Sequence, residues 1–253
     1  MADPFCHAAT HPGLSAPALS HLQSWVGKVE VLDDVITAAP LRGQSALLDR
    51  DDALPVAGTI LPPLSHWLYF LPQHRQSELG PDGHAKRGDL IFVLVRHAIS
   101  NAQGLSLTEE HDIVYRAAAQ PGDPVPPPIA VQTGAAWQRE VVPDAVLLFR
   151  YSALTFNGHR IHYDRQYVTE VEGYPGLVVH GPLVATQLLD LVRYHLPDAF
   201  VIGFEFKLLR PTFDLHPYRL NAQPAADGTS VRVWAQNHEG WLTLQGTVKL
   251  ACG

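Results

Sequence analysis

An α+β fold is what this 253-residue sequence predicts, and three observations predict it. The segment Gly181–His195 places Leu183, Val184, Leu188, Leu191 and Val192 at the spacing of a buried helix. Four strand-like runs follow it, Phe200–Leu209, Tyr218–Gln223, Ser230–Asn237 and Trp241–Leu250, with turn signals at Asp227-Gly228 and Glu239-Gly240. A proline-dense stretch at Pro121–Gly134, PGDPVPPPIAVQTG, separates this pattern from a looser version of it nearer the N-terminus.

One long helix followed by an antiparallel meander is the pattern in which a sheet wraps a helix, the hot-dog layout. The expectation is a double hot-dog, two helix-wrapped antiparallel sheets in one chain: an N-terminal unit over 1–120, a linker over 121–134 and a C-terminal unit over 135–253. In the first unit the candidates are a helix at Leu19–Trp25, an apolar run at Thr59–Leu71, and strands at Asp89–Ser100 and Thr108–Ala117. Two further strands would fall where the polar stretch His74–Gly88 stands, so at ordinary strand-plus-turn spacing roughly 20–40 residues are missing there. Either that unit is reduced, or a segment near Lys86–Asp89 is absent from this sequence. Asp49-Arg50-Asp51-Asp52 reads as a solvated turn, and Trp67, Tyr69 and Phe70 as core or acyl-pocket residues.

Composition narrows the function. Hydrophobic residues make up 46% and charged residues 17%, as in a folded soluble protein. A formal charge of −7, with 18 basic against 25 acidic residues, argues against a nucleic-acid-binding face. Cys6 and Cys252 lie in the two tails, where neither a bridge nor a zinc site is expected. No apolar run reaches the ~18–20 residues of a membrane span, and the first residues lack a secretory pattern. The expected location is therefore cytoplasmic. The 14 histidines are scattered, without the spacing of a three-ligand metal set, so no metal is expected.

Chemistry concentrates after Val146–Thr155, in FRYSALTFNGHRIHYD (Phe149–Asp164) and EGYPGLVVHGPLVAT (Glu172–Thr186). These stretches resemble the MaoC-like hydratase/dehydratases, within them the hydroxyacyl-thioester dehydratase type 2 branch and its mesaconyl-CoA (3-methylfumaryl-CoA) hydratase relatives. The resemblance is close over the second half and looser over the first, where it includes LTEEHDIVYRA. In the family signature an aspartate stands five residues before the histidine; here Asn157 stands five before His162.

The resemblance implies reversible addition of water to a 2-enoyl thioester. His162 matches the catalytic histidine, and an ordinary pKa of roughly 6.5 suits it to proton transfer near neutrality. Asn157 replaces the carboxylate; an amide holds or orients water but is no base. Gly181, at the start of the long helix beside Pro182, matches the glycine whose N–H stabilises enolate charge on the thioester oxygen. Arg160 is a candidate for a substrate carboxylate, a CoA phosphate or a brace of its loop. Asp164, His159 and His180 are candidate substrate-side residues, and packing or hydrogen-bonding roles compete for both histidines.

The implied function is hydration of a short branched or dicarboxylic enoyl-CoA, most like mesaconyl-CoA. The substrate brings its own CoA and no cofactor is called for. The rivals are a 3-hydroxyacyl-ACP dehydratase of fatty-acid synthesis and a non-catalytic acyl-thioester-binding protein. The resemblance also implies a non-catalytic N-terminal unit that shapes the substrate tunnel. Hot-dog units commonly associate through their sheets, so a homodimer is an expectation alongside pairing of two units within one chain.

Overall fold

The computed structural model describes residues 23–83, 92–114, 127–131 and 134–251. The helix expected over Leu19–Trp25 lies largely outside them, as do Cys6 and Cys252. The chain is α+β, with two antiparallel sheets that belong to two compact units. The smaller unit contains a hairpin of β1 (Phe92–Asn101) and β2 (Gly104–Val114). Its register pairs His97 with Glu109 and Arg96 with Glu110; Arg96 forms an ion pair with Glu110, and His97 Nδ1 lies 2.8 Å from Glu109 Oε2.

The larger unit is the hot-dog expected for the second half. Its elements are α1 (Ala38–Leu47), β3 (Trp137–Val141), α2 (Ala145–Leu154), α3 (Arg165–Glu170), α4 (Gly181–His195), β4 (Val201–Leu208), β5 (Tyr218–Pro224), β6 (Ser230–Gln236) and β7 (Leu242–Leu250). The strands form one antiparallel sheet in the order β3-β5-β6-β7-β4. Gly228 and Gly240 take positive φ at the two turns that the sequence marks. β3 is a strand the sequence reading lacks. It is only five residues long, directly behind the proline-rich stretch, and is held as a strand by its register on β5, Trp137 opposite Ala222. The described part of that stretch also pairs with the sheet, since Ala130 bridges Trp241.

α4 is buried on every side from Leu183 to Val192 and packs against β5, β6, β7 and β3. Each buried leucine contributes about 1.5–3 kcal/mol. The buried polar residues on this helix are satisfied: Thr186 donates to the Pro182 carbonyl, Gln187 accepts from Tyr218, and Asp190 pairs with two arginines. One partner of Asp190 is Arg50, 2.9 Å away, and Asp52 pairs with Arg50 and Arg193. The Asp49–Asp52 segment is therefore not a purely solvated turn: two of its side chains join α4.

Residues 33–83 pack with the second half of the chain. α1 lies against α2, and Leu41, Leu68 and Tyr69 form a small core that Leu154 joins. The described part of the polar stretch at 74–83 holds a single 3-10 turn, Gln76–Glu78.

Candidate active site

The site is built on the loop between α2 and α3. Asp144 caps α2 by accepting from the Leu147 N–H at 2.7 Å, and Leu148, Tyr151 and Ser152 form the buried face of that helix. Phe156 then takes φ 50°, a left-handed conformation that turns the chain out of the helix. The Asn157 side-chain oxygen accepts from the His159 N–H at 3.0 Å and rounds the corner. Arg160–His162 form a 3-10 turn, and Asp164 caps α3 by accepting from the Tyr167 N–H.

The neighbouring 177–179 segment fixes His162. Val178 N–H donates to the Ile161 carbonyl at 3.0 Å, and the Val178 carbonyl lies 2.7 Å from His162 Nδ1. A carbonyl only accepts, so Nδ1 carries the proton and Nε2 is the basic nitrogen. The ring is buried and stacks on His180 at 3.6 Å between centroids, 18° from parallel, while His159 meets it edge-on at 5.5 Å.

His180 stands immediately before α4 and is 1% exposed. Its Nε2 is 2.9 Å from Ser152 Oγ, and Tyr151 meets the ring edge-on. Burial, followed by the neighbouring His162 and His159, pushes its pKa down to about 2. A proton taken up by His162 therefore faces a neutral ring. Gly181 follows as the first residue of α4, where an N–H has no acceptor within the helix. The sequence-derived candidates His159, His162, His180 and Gly181 thus sit together, with Asn157 bonded into the same loop.

Arg160 and Asp164 are placed as braces. The Arg160 Nε and Nη2 donate to Asp164 Oδ2 at 3.1 and 2.8 Å, Nη1 donates to the Pro81 carbonyl at 2.9 Å, and the guanidinium lies 3.9 Å over the Tyr167 ring. The Tyr167 backbone N–H, and then Arg160, hold the Asp164 carboxyl below the usual carboxylate range. The backbone joins in, because Arg160 N–H donates to the Asp82 carbonyl at 2.9 Å. Of the three roles open to Arg160 in the sequence, these contacts match the brace.

Sequence reasoning missed Ser152, Tyr151, the Val178 carbonyl and the Pro81–Gly83 strap. Ser152 carried a signal: a serine four residues after Leu148, on the buried face of an apolar helix, needs a partner. The strap carried none, because its contacts with the loop are nearly 80 positions away in sequence and run through backbone carbonyls.

A five-stranded antiparallel sheet packed on a buried helix places the larger unit in the hot-dog class. The chain belongs to the hydroxyacyl-thioester dehydratase type 2 family, whose model matches residues 86–214, and it is a hydro-lyase. It is 40% identical over 277 aligned positions to mesaconyl-C(4)-CoA hydratase of Chloroflexus aurantiacus, covering 90% of this chain and 97% of that protein. It is 44% identical over 80 residues to the mitochondrial hydroxyacyl-thioester dehydratase type 2 of Schizosaccharomyces pombe, covering 31% of this chain and 27% of that one. The crystal structure of HtdX from Mycobacterium tuberculosis matches with a TM-score of 0.51 at 18% identity, over 64% of this chain and 65% of that one, a likeness of fold.

Proposed function

We propose that this hydro-lyase adds water reversibly across the 2,3 double bond of a short enoyl-CoA, with mesaconyl-CoA as the type of substrate. The observation that carries the chemistry is His162, whose Nδ1–H is committed to the Val178 carbonyl. In this reading Nε2 takes a proton from water as the water oxygen bonds to the β-carbon. The π electrons move toward the thioester oxygen, which the Gly181 N–H and the N-terminus of α4 stabilise. His162 then returns the proton to the α-carbon, so one base serves both transfers and the atoms balance. The amide of Asn157 holds the water. His180 and Ser152 keep the His162 ring in place, while Arg160 and Asp164 keep the loop in place.

The choice of mesaconyl over a fatty acyl chain is supported by the Chloroflexus relative, matched over nearly its whole length. Following loss of enoyl-thioester absorbance with crotonyl-, mesaconyl- and itaconyl-CoA tests it. Hydration of mesaconyl-CoA is expected, and no hydration of any of the three would refute the reading.

The smaller unit, which contains the β1–β2 hairpin, is part of the proposal as a reduced, non-catalytic companion unit. The aligned span of 277 positions exceeds the whole 253-residue chain, so the relative carries internal residues that this chain lacks. A homodimer is also proposed. β4 is an edge strand of the larger sheet, with Ile202 and Leu208 exposed and Phe200 exposed just before it. Light scattering on the purified chain tests this, and a monomeric mass would exclude it. Among the described residues no helix is long and apolar enough to cross a membrane. A cytoplasmic location is proposed on the cysteine usage.

A further inference from the structure

A cavity of about 150 Å³ lies beside Gly181, between the first turn of α4, the 178–179 segment, the end of β4 and the start of β7. Its inner wall is aliphatic: Val179, Val184 and Leu244 line it, and each is 3% exposed or less. Backbone bonds fix that wall, since Val179 N–H donates to the Thr212 carbonyl at 2.8 Å and Leu209 N–H to the Thr243 carbonyl at 2.9 Å. Arg210, the one charged residue in the lining, is already engaged with a partner, and the Thr243 hydroxyl is buried in the fold. What the cavity offers a ligand is therefore shape and apolar contact.

Leu208 forms the outer side. It is the last residue of β4, an edge strand, and its side chain lines the cavity although 51% of the residue is exposed. A Cβ on Gly181 would lie 2.5 and 2.8 Å from its two methyl carbons, so Leu208 packs directly on the Gly181 backbone. A thioester oxygen on the Gly181 N–H brings the acyl carbons into contact with this side chain, which has solvent on one side and the aliphatic wall on the other.

We propose that the aliphatic cavity holds the apolar part of the acyl group and that Leu208 is its gate, the residue that sets how long a chain the enzyme accepts. The inference rests on the thioester reading above and adds the residues that measure the acyl group. For a mesaconyl thioester the group that enters is the methyl branch. A dry aliphatic cavity of this size takes an apolar group of up to about six carbons. Each methylene buried there strengthens binding about 4-fold.

The test is calorimetric binding of butyryl-, hexanoyl- and decanoyl-CoA to the full chain, none of which has a double bond to hydrate. Wild type is expected to bind hexanoyl-CoA about 10-fold tighter than butyryl-CoA, and decanoyl-CoA no tighter than hexanoyl-CoA, because the last carbons find no room. Leu208→Ala removes the gate and should raise the decanoyl-to-hexanoyl ratio about 10-fold. Val184→Ile fills part of the cavity from the inner wall and should lower the hexanoyl-to-butyryl ratio several-fold. A purely structural role for either residue would shift the unfolding temperature and leave the ratios where they are.

Equal wild-type affinity for butyryl- and hexanoyl-CoA, a continued rise to decanoyl-CoA, or a ratio that either variant leaves unmoved overturns the proposal. So does an equal loss for all three ligands, which would place the cavity on the CoA arm they share. The hydration assay separates the two readings. Length selectivity without hydration of any enoyl-CoA keeps the pocket and removes the reaction, whereas hydration with a flat length profile does the reverse.

Discussion

The two ends of α4 handle polar groups in opposite ways. At the C-terminal end Asp190 is 3% exposed and fully paired, 2.9 Å from Arg50 and 2.5 Å from Arg139, while Arg193 reaches Asp52. At the N-terminal end His180 is as deeply buried but carries an unpartnered Nδ1, lies against His162 and is driven neutral. Satisfied charges at one end link the segment after α1, β3 and α4. At the other end the neutral His180 ring keeps one nitrogen without a hydrogen-bond partner. The difference separates a paired network that holds the fold from the histidine stack on which the proposed reaction rests.

The largest expected effect lies at the N-terminal end. His162→Ala should lower hydration by at least ~1,000-fold, with the urea midpoint changed by no more than a lost hydrogen bond, about 1 kcal/mol. Near-normal turnover would remove His162 from the mechanism. The opposite end should give the opposite result. Asp190→Asn leaves two arginines without their shared carboxylate, so stability in urea should fall by about 3 kcal/mol while the folded fraction keeps its turnover. Equal stability would show the network to be ornamental.

The strap should fall between these. Gly83 has φ +85°, and a Cβ there would sit 1.9 Å from the Gly158 carbonyl oxygen, a backbone atom that cannot swing aside. Gly83→Ala is therefore expected to cost about 2 kcal/mol and to lower kcat by displacing the loop that carries His162. An unchanged kcat would mean that the strap supports stability alone.

The smallest effect concerns pH. The folded pKa of His180, about 2, lies below its ordinary value of 6.5, so the unfolded chain binds the extra proton between those values. The stabilisation from keeping this ring neutral is present above pH 6.5. It falls by about 1.4 kcal/mol per pH unit as pH drops below that point. Urea midpoints from pH 7 to pH 5 should therefore fall more steeply for wild type than for His180→Gln, and parallel slopes would contradict the buried, neutral assignment.

Much of the larger unit was legible because its signals are local. The apolar spacing of Gly181–His195, Pro182 at its first turn and the glycines at 228 and 240 act within a few residues. They correspond to the observed helix and turns. Four of the five strands in the larger sheet were read for the same reason. β3 was not, since it has only five residues and is set by pairing with β5, more than 70 positions later. In the site, the family resemblance named His162, Gly181 and Asn157. It could not find the Val178 carbonyl or Ser152, whose importance comes from where a fold delivers them.

The sequence by itself determined the hot-dog class of the second half and the stretch where its chemistry sits. Periodicity, turn residues and a ten-residue motif are properties of neighbours along the chain. Only the tertiary structure decided which nitrogen of His162 is basic, that Arg160 braces its loop, and that the segment at 74–83 docks on that loop. It alone stacked His162 on His180 and brought Ser152 to the second ring. Each of these depends on a hydrogen bond or burial between residues far apart in sequence, and such contacts exist only once the chain has folded.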